Sequence, residues 1–184
     1  MNAHELFREG KRQLALGDPQ GCIDLVSKSM KSGRVSTHQL LTRAAARMRL
    51  QQYQESLADC DEAMEIDPEN RHLYFIRGAV LRRMNRLDDA IANLNQAIDI
   101  NPEYGIAYLE RALCYTAAGR QSEADQDFKT VLRFTETALQ GFCDSMGMIH
   151  TQVDAVEALL DGDRDYPRLF LSAEEFEQMK RALN

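Results

Sequence analysis

The sequence predicts an all-α fold in which helical hairpins repeat every 34 residues and stack into a solenoid. Three observations lead to this prediction: two independent series of small residues recur at that spacing, and two prolines stand 34 residues apart. The positions are Gly10, Ala44, Gly78 and Ala112; Cys22, Ser56, Ala90 and Ala124; and Pro68 with Pro102. Antiparallel helices approach to about 8–10 Å only where their side chains are small, so such series mark the contact points of successive hairpins.

Each hairpin is predicted to contain a first helix, A, and a second helix, B. Apolar residues recur at steps of three and four within them, as in residues 87–98, and this is the spacing of one helix face. Pro68 and Pro102 end two of the B helices, because proline cannot continue a helix. The A helices are predicted at 3–16, 37–49, 71–84 and 105–118, and the B helices at 19–31, 53–66, 87–100 and 121–134.

Residues 77–78, 90–91 and 97–102 resemble the tetratricopeptide repeat, as do residues 43–46 and 57–63 with Pro68. The resemblance divides the chain into four units, 3–36, 37–70, 71–104 and 105–136, followed by a C-terminal region, 137–184. It implies a right-handed α–α superhelix, with the A helices lining the concave face and the B helices the convex face. The first unit has Arg34 and the fourth has Glu136 where the proline would fall, and atypical end units are expected in a stacked array.

After residue 136 the repeat stops, but an apolar seam continues at alternating steps of three and four. Its members are Leu139, Phe142, Met146, Ile149, Val153, Val156 and Leu160. The seam predicts a long helix that either covers the exposed end of the solenoid or pairs with a second copy as a coiled coil. Capping is favoured, because one seam rarely serves both faces. A final helix is predicted at 172–183, where Ser172 and Glu175 form a capping box.

Charge is divided unevenly along the chain, whose formal net charge of -7 argues against nucleic acid as a partner. The predicted A helices contain eleven Lys and Arg against three Asp and Glu, whereas the B helices contain four against twelve. With the A helices lining the concave face, this predicts a basic groove that binds an acidic segment or C-terminus of another protein. Two alternatives stay open: the charges are simply solvated, or the chain self-associates through its C-terminal helix or its acidic turn at 161–165.

The resemblance also implies which A-helix residues contact a partner. Leu41, Phe75, Ile76 and Leu109 are predicted apolar anchors, and Lys11, Arg49, Arg82 and Arg83 are predicted carboxylate donors. The remaining groove residues are Phe7, His38, Thr42, His72 and Leu113. In contrast, Arg43, Arg77 and Arg111 are predicted to pair with Asp59, Asn93 and Asp127 on the facing helices as part of the scaffold.

Some relatives clamp the C-terminal carboxylate of large heat-shock chaperones, and the second unit resembles theirs. The clamp positions themselves are occupied by Phe7, Lys11, Thr42, His72 and Ile76, which depart from the pattern of Lys, Asn and Arg side chains. A chaperone clamp is therefore not predicted.

No signature of a catalytic, cofactor or metal site is present, so the sequence predicts a protein that is not an enzyme and has no cofactor. His4, His38 and His72 are 34 residues apart, but helix axes about 10 Å apart are too distant for a shared tetrahedral metal, so groove-lining side chains are favoured. Residues 161–166 suggest a calcium loop, yet Tyr166 occupies the position that requires glycine. The four cysteines lack metal-ligand spacing and are predicted to be structural thiols.

The N-terminal residues are charged where a signal peptide needs an apolar core, and no stretch approaches the roughly 18 apolar residues of a membrane-spanning helix. A cytoplasmic protein that does not bind membranes is therefore expected.

Overall fold

The computed structural model describes residues 1–146, with side chains through residue 134. This part of the chain is all-α and contains eight helices. They are α1 (Ala3–Ala15), α2 (Pro19–Lys31), α3 (Thr37–Arg49), α4 (Tyr53–Ile66), α5 (Arg71–Arg83), α6 (Leu87–Ile100), α7 (Gly105–Ala117) and α8 (Gln121–Met146). The predicted all-α fold is confirmed. Apart from the end of α8, every helix begins and ends within one residue of its predicted boundary.

The chain divides into two compact units, which meet in sequence between Ile100 and Asn101. In the first unit α1 packs on α2, α3 on α4 and α5 on α6, so three hairpins follow one another. The hairpins stack because α2 also packs on α3 and α4 on α5, and α3 lies beside both α1 and α5. In the second unit α7 packs on α8. The division into four repeat units with a separate C-terminal region remains a prediction, as does the handedness of the superhelix.

Glycine lies where the two helices of a hairpin approach most closely. A Cβ atom on Gly78 would lie 2.8 Å from Leu94 Cγ, and one on Gly10 would lie 2.9 Å from Val26 Cγ2. The corresponding positions in the other hairpins hold Ala44 and Ala112, both completely buried. The small-residue series found in the sequence therefore marks the contact points of the helices.

Every A helix ends in the same turn, and one residue of that turn has a positive φ. These residues are Gly17 (85°), Gln51 (60°), Asn85 (58°) and Gly119 (73°), again 34 residues apart. The next amide in each turn donates to a carbonyl five residues back, as in Asp18 N to Gln13 O (2.9 Å) and Gln52 N to Arg47 O (2.9 Å). This is the Schellman motif, which satisfies carbonyls that the helix end leaves without partners.

We expect Gly17→Ala to destabilise the protein by about 1 kcal/mol, because a Cβ atom makes the left-handed conformation costly. Nothing lies within 4 Å of a Cβ at this position, so the cost is purely conformational. Gly33→Ala is the matched control, since Gly33 also has open space but no positive φ. Urea denaturation followed by circular dichroism measures both variants. Equal effects at the two positions would contradict the explanation.

The predicted arginine pairs join the helices of each hairpin. Arg43 Nη2 lies 2.5 Å from Asp59 Oδ1, and Arg111 Nη2 lies 2.7 Å from Asp127 Oδ1. Arg77 Nη1 donates to Asn93 Oδ1 at 3.1 Å. All three predicted pairs are confirmed. Each carboxylate is almost fully buried and its arginine mostly so, which is the setting in which a charged side chain needs a partner.

Two of these arginines also reach back to the preceding hairpin. Arg43 Nη1 donates to Ser27 Oγ of α2 at 3.4 Å, and Arg77 Nε donates to Asp61 Oδ1 of α4 at 3.3 Å. Each guanidinium therefore contacts two successive B helices, sixteen residues before and after it in the sequence. This geometry stacks the hairpins as well as closing them.

The last helix differs from the others in length. The 26 residues of α8 compare with 13 in α7, and the helix continues through Glu136 to Met146 instead of ending with the repeat. The apolar seam begins within α8, but its side chains lie outside the described residues. The predicted helix at 172–183, the turn at 161–166 and Cys143 lie outside them as well.

Candidate protein-binding face

The A helices of the first unit lie side by side, so residues at equivalent positions of α1, α3 and α5 form one surface. We call this surface the A face. It comprises His4, Phe7, Arg8 and Lys11 of α1; His38, Leu41, Thr42 and Arg49 of α3; and His72, Phe75, Ile76, Arg82 and Arg83 of α5. The two other predicted groove residues, Leu109 and Leu113, belong to α7 in the second unit.

The three histidines stand in the first turn of successive A helices because each helix is capped just before them. Asn2 and Ser36 each form a reciprocal capping box with the residue three positions later, and Asn70 Oδ1 accepts from the amide of His72. His4 and His38 are exposed, and His72 is half-buried. Within the residues that the structure describes, no three His, Cys, Asp or Glu side chains come together as a metal site.

The predicted apolar anchors of the A face are buried. Leu41 and Phe75 are each 2% exposed, and Ile76 is completely buried. Thr42 is also buried, and its hydroxyl donates to the carbonyl of His38 within α3 at 2.7 Å. These side chains therefore offer no surface to a partner in this structure. Among the predicted apolar contacts, only Phe7 is partly accessible.

Leu109 and Leu113 are buried in the second unit. They pack with Ala112 of α7 and with Ala124, Phe128 and Val131 of α8. The edge of this cluster is aromatic: the Tyr108 and Phe134 rings meet edge to face at 5.7 Å, and Arg111 lies over Tyr108 at 5.2 Å. In the structure these two leucines hold α7 against α8.

Arg49 has a role that the sequence did not reveal. Its Nη1 donates to the carbonyl oxygen of Leu14, in the last turn of α1, at 3.0 Å. Burial lowers the pKa of Arg49, although the side chain retains its charge at any physiological pH. A carbonyl at a helix C-terminus has no partner in its own helix and carries a partial negative charge, so it suits a guanidinium. Arg49 thus joins the first two hairpins.

The other predicted carboxylate donors, Lys11, Arg82 and Arg83, are half-buried, and Arg8 is exposed. Together α3 and α5 contain seven arginines and no Asp or Glu. Three of these arginines, Arg43, Arg47 and Arg77, bind carboxylates on α4. Part of the charge difference between A and B helices is therefore structural, and the net charge of the A face is smaller than the formal count.

The thiols of the first unit are chemically quiet. Cys22 and Cys60 are completely buried at the small-residue positions of α2 and α4. Burial raises the pKa of Cys22 to about 12 and that of Cys60 still further, so neither side chain forms a thiolate at neutral pH. Among the described helices, none combines the length and the hydropathy that crossing a membrane requires.

Comparison with known proteins supports the repeat. Residues 78–119 match a family model for the tetratricopeptide repeat. The crystal structure of TTC0263, a thermophilic tetratricopeptide repeat protein from Thermus thermophilus, matches with a TM-score of 0.67 and 21% identity, covering 98% of both chains. No curated protein matches the chain by sequence.

Two further solved structures have a similar fold. The crystal structure of MamA matches with a TM-score of 0.66 and 24% identity, over 76% of this chain and 81% of MamA. YrrB, a tetratricopeptide repeat protein described as having an unusual peptide-binding site, matches with a TM-score of 0.60 and 15% identity, over 72% of this chain and 68% of YrrB. At these identities the likeness concerns the fold, and the resemblance seen in the sequence is confirmed.

Proposed function

Residues 78–119 carry tetratricopeptide repeat sequence and the chain has the fold of tetratricopeptide repeat proteins, and from this premise we propose that it is a non-catalytic binding scaffold. Its A face binds an acidic, extended or helical segment of another protein. The observation that carries the proposal is the composition of this face: three neighbouring helices present histidine, lysine and arginine side chains, and two of them contain no carboxylate.

The proposed contacts form in two layers. Arg8, Lys11, Arg82 and Arg83 attract the carboxylates of the partner, and charge-assisted hydrogen bonds then fix its position. His4, His38 and His72 add polar contacts along the same face, and Phe7 adds an apolar one. Leu41, Thr42, Phe75 and Ile76 lie beneath, where their burial holds the three helices in register. Arg49 acts as a spacer between the first two hairpins, and Leu109 and Leu113 are not needed for this contact.

We expect the double variant Arg82→Glu, Arg83→Glu to weaken binding of an acidic peptide at least about tenfold, because two attractive charges become repulsive. An array of acidic peptides, each beside its Asn and Gln counterpart, finds the ligand, and fluorescence anisotropy measures its dissociation constant. Raising the salt concentration should weaken binding further, since the contacts are accessible to screening ions.

The matched control is Glu62→Lys, Glu65→Lys, which reverses two exposed charges on α4 and should leave binding unchanged or slightly tighter. Circular dichroism checks that both variants remain helical. The proposal fails if no acidic peptide is preferred over its neutral counterpart, or if the α4 variant weakens binding as much as the α5 variant.

A further inference from the structure

The chain contains in its own sequence a segment of the kind that the A face is proposed to bind. Residues 154–165 include five carboxylates, Asp154, Glu157, Asp161, Asp163 and Asp165, against the single cation of Arg164. No Lys or Arg occurs between Arg133 and Arg164, so the approach to this acidic segment has no cation either. The segment lies outside the described residues, and its chemistry is read from the sequence alone.

The length of α8 supplies an arm that leads to this segment. At 1.5 Å per residue the 13 residues of α7 span about 20 Å, whereas the 26 residues of α8 span about 39 Å. Roughly half of α8 therefore extends beyond the length over which α7 can pair with it. A helix is stiff, so this half carries the following chain away from the α7–α8 hairpin.

Two contacts with a second copy are conceivable, and electrostatics separates them. Pairing of two apolar seams would bring Glu136, Asp144, Asp154 and Glu157 of one copy close to the same four residues of the other, with no cation among them. Like charges flanking a coiled-coil seam oppose association. The A face of a second copy instead offers the cations of α1, α3 and α5.

We propose that the acidic segment at 154–165 of one copy binds the A face of a second copy. This inference rests on the proposed function of the A face, for which it names the partner. The contact is head-to-tail, because different surfaces of the two copies meet. Such a contact builds an open chain of molecules or a closed ring, depending on the angle between successive copies.

The test measures mass by light scattering over a roughly hundredfold range of protein concentration. The full chain should rise above its monomer mass of 20.9 kDa as concentration increases. Arg82→Glu, Arg83→Glu removes the A face and Asp161→Lys, Asp163→Lys removes the acidic segment, so each variant alone should remain a monomer. An equimolar mixture should form a dimer of one molecule of each, because one intact A face and one intact segment remain. Glu62→Lys, Glu65→Lys is the control and should associate normally.

Each result decides between defined alternatives. A native chain that stays monomeric at every concentration overturns the inference, including the case in which the segment binds within its own molecule. Failure of the mixture to form a dimer overturns the head-to-tail contact. Association that survives both variants but is lost in Phe142→Glu would assign the interface to the seam and overturn the inference. Binding of acidic peptides by a strictly monomeric chain would leave the proposed function standing and remove only this partner.

Discussion

Replacing Asp59 with alanine is expected to destabilise the first unit by about 3 kcal/mol or more, which is the usual cost of removing one partner from a buried ion pair. The Asp59 side chain is only 2% exposed, and its two oxygens bind two arginines of α3. Arg43 Nη2 lies 2.5 Å from Oδ1, and Arg47 Nη1 lies 2.6 Å from Oδ2. The alanine variant leaves both guanidinium groups, each mostly buried, without their carboxylate. Urea denaturation followed by circular dichroism measures the loss.

The chain offers two controls for this prediction. Asp61→Ala removes a carboxylate from the same helix, but the Asp61 side chain is 62% exposed and pairs with Arg77 at 3.3 Å, so the expected cost is below about 1 kcal/mol. Asp59→Asn keeps a hydrogen-bond acceptor and copies the third hairpin, where Asn93 accepts from Arg77. It should cost less than the alanine variant. Equal losses for Asp59→Ala and Asp61→Ala would show that burial of the carboxylate does not matter.

The sequence predicted the helices and their pairing because both follow from local and periodic rules. A face repeated at steps of three and four defines a helix, and a small residue every 34 positions defines where two helices touch. The arginine pairs were equally predictable, since a charged residue at a fixed position of every hairpin needs a partner at another fixed position. Arg43, Arg77 and Arg111 all find their partners sixteen residues later.

The A face was less predictable, because accessibility depends on how side chains from several helices fill the same space. Leu41 and Phe75 occupy positions that the resemblance assigns to a groove, yet both are buried. Arg49 is charged and near the end of α3, which suggested a ligand contact, but its partner is a backbone carbonyl, which the residue sequence alone does not display. The Schellman turns were missed for a related reason: Gln51 and Asn85 hold the positive φ that Gly17 and Gly119 would have suggested.

The second large effect is expected at the contact between α5 and α6. Leu94 is completely buried, and its Cγ would lie 2.8 Å from a Cβ placed on Gly78. Leu94→Ala should cost about 2–5 kcal/mol, because it removes buried methyl groups and leaves a cavity. Ile100→Ala, in the same helix, should cost well under that, since Ile100 is 40% exposed. Urea denaturation of both variants gives the comparison, and similar losses would contradict the assignment of Leu94 to the core.

A double-mutant cycle tests why position 78 is glycine. Gly78→Ala alone should destabilise by about 1–2 kcal/mol, because the new methyl group displaces Leu94 and this outweighs the better helix propensity of alanine. In the Leu94→Ala background the displaced side chain is gone, and the nearest remaining neighbour is the Ala90 carbonyl oxygen at 3.3 Å. The same substitution should then be neutral or stabilising, up to about 1 kcal/mol. A cost that is equal in both backgrounds would mean that the approach of the two helices does not select the small residue, and the physical basis of the 34-residue series would have to lie elsewhere.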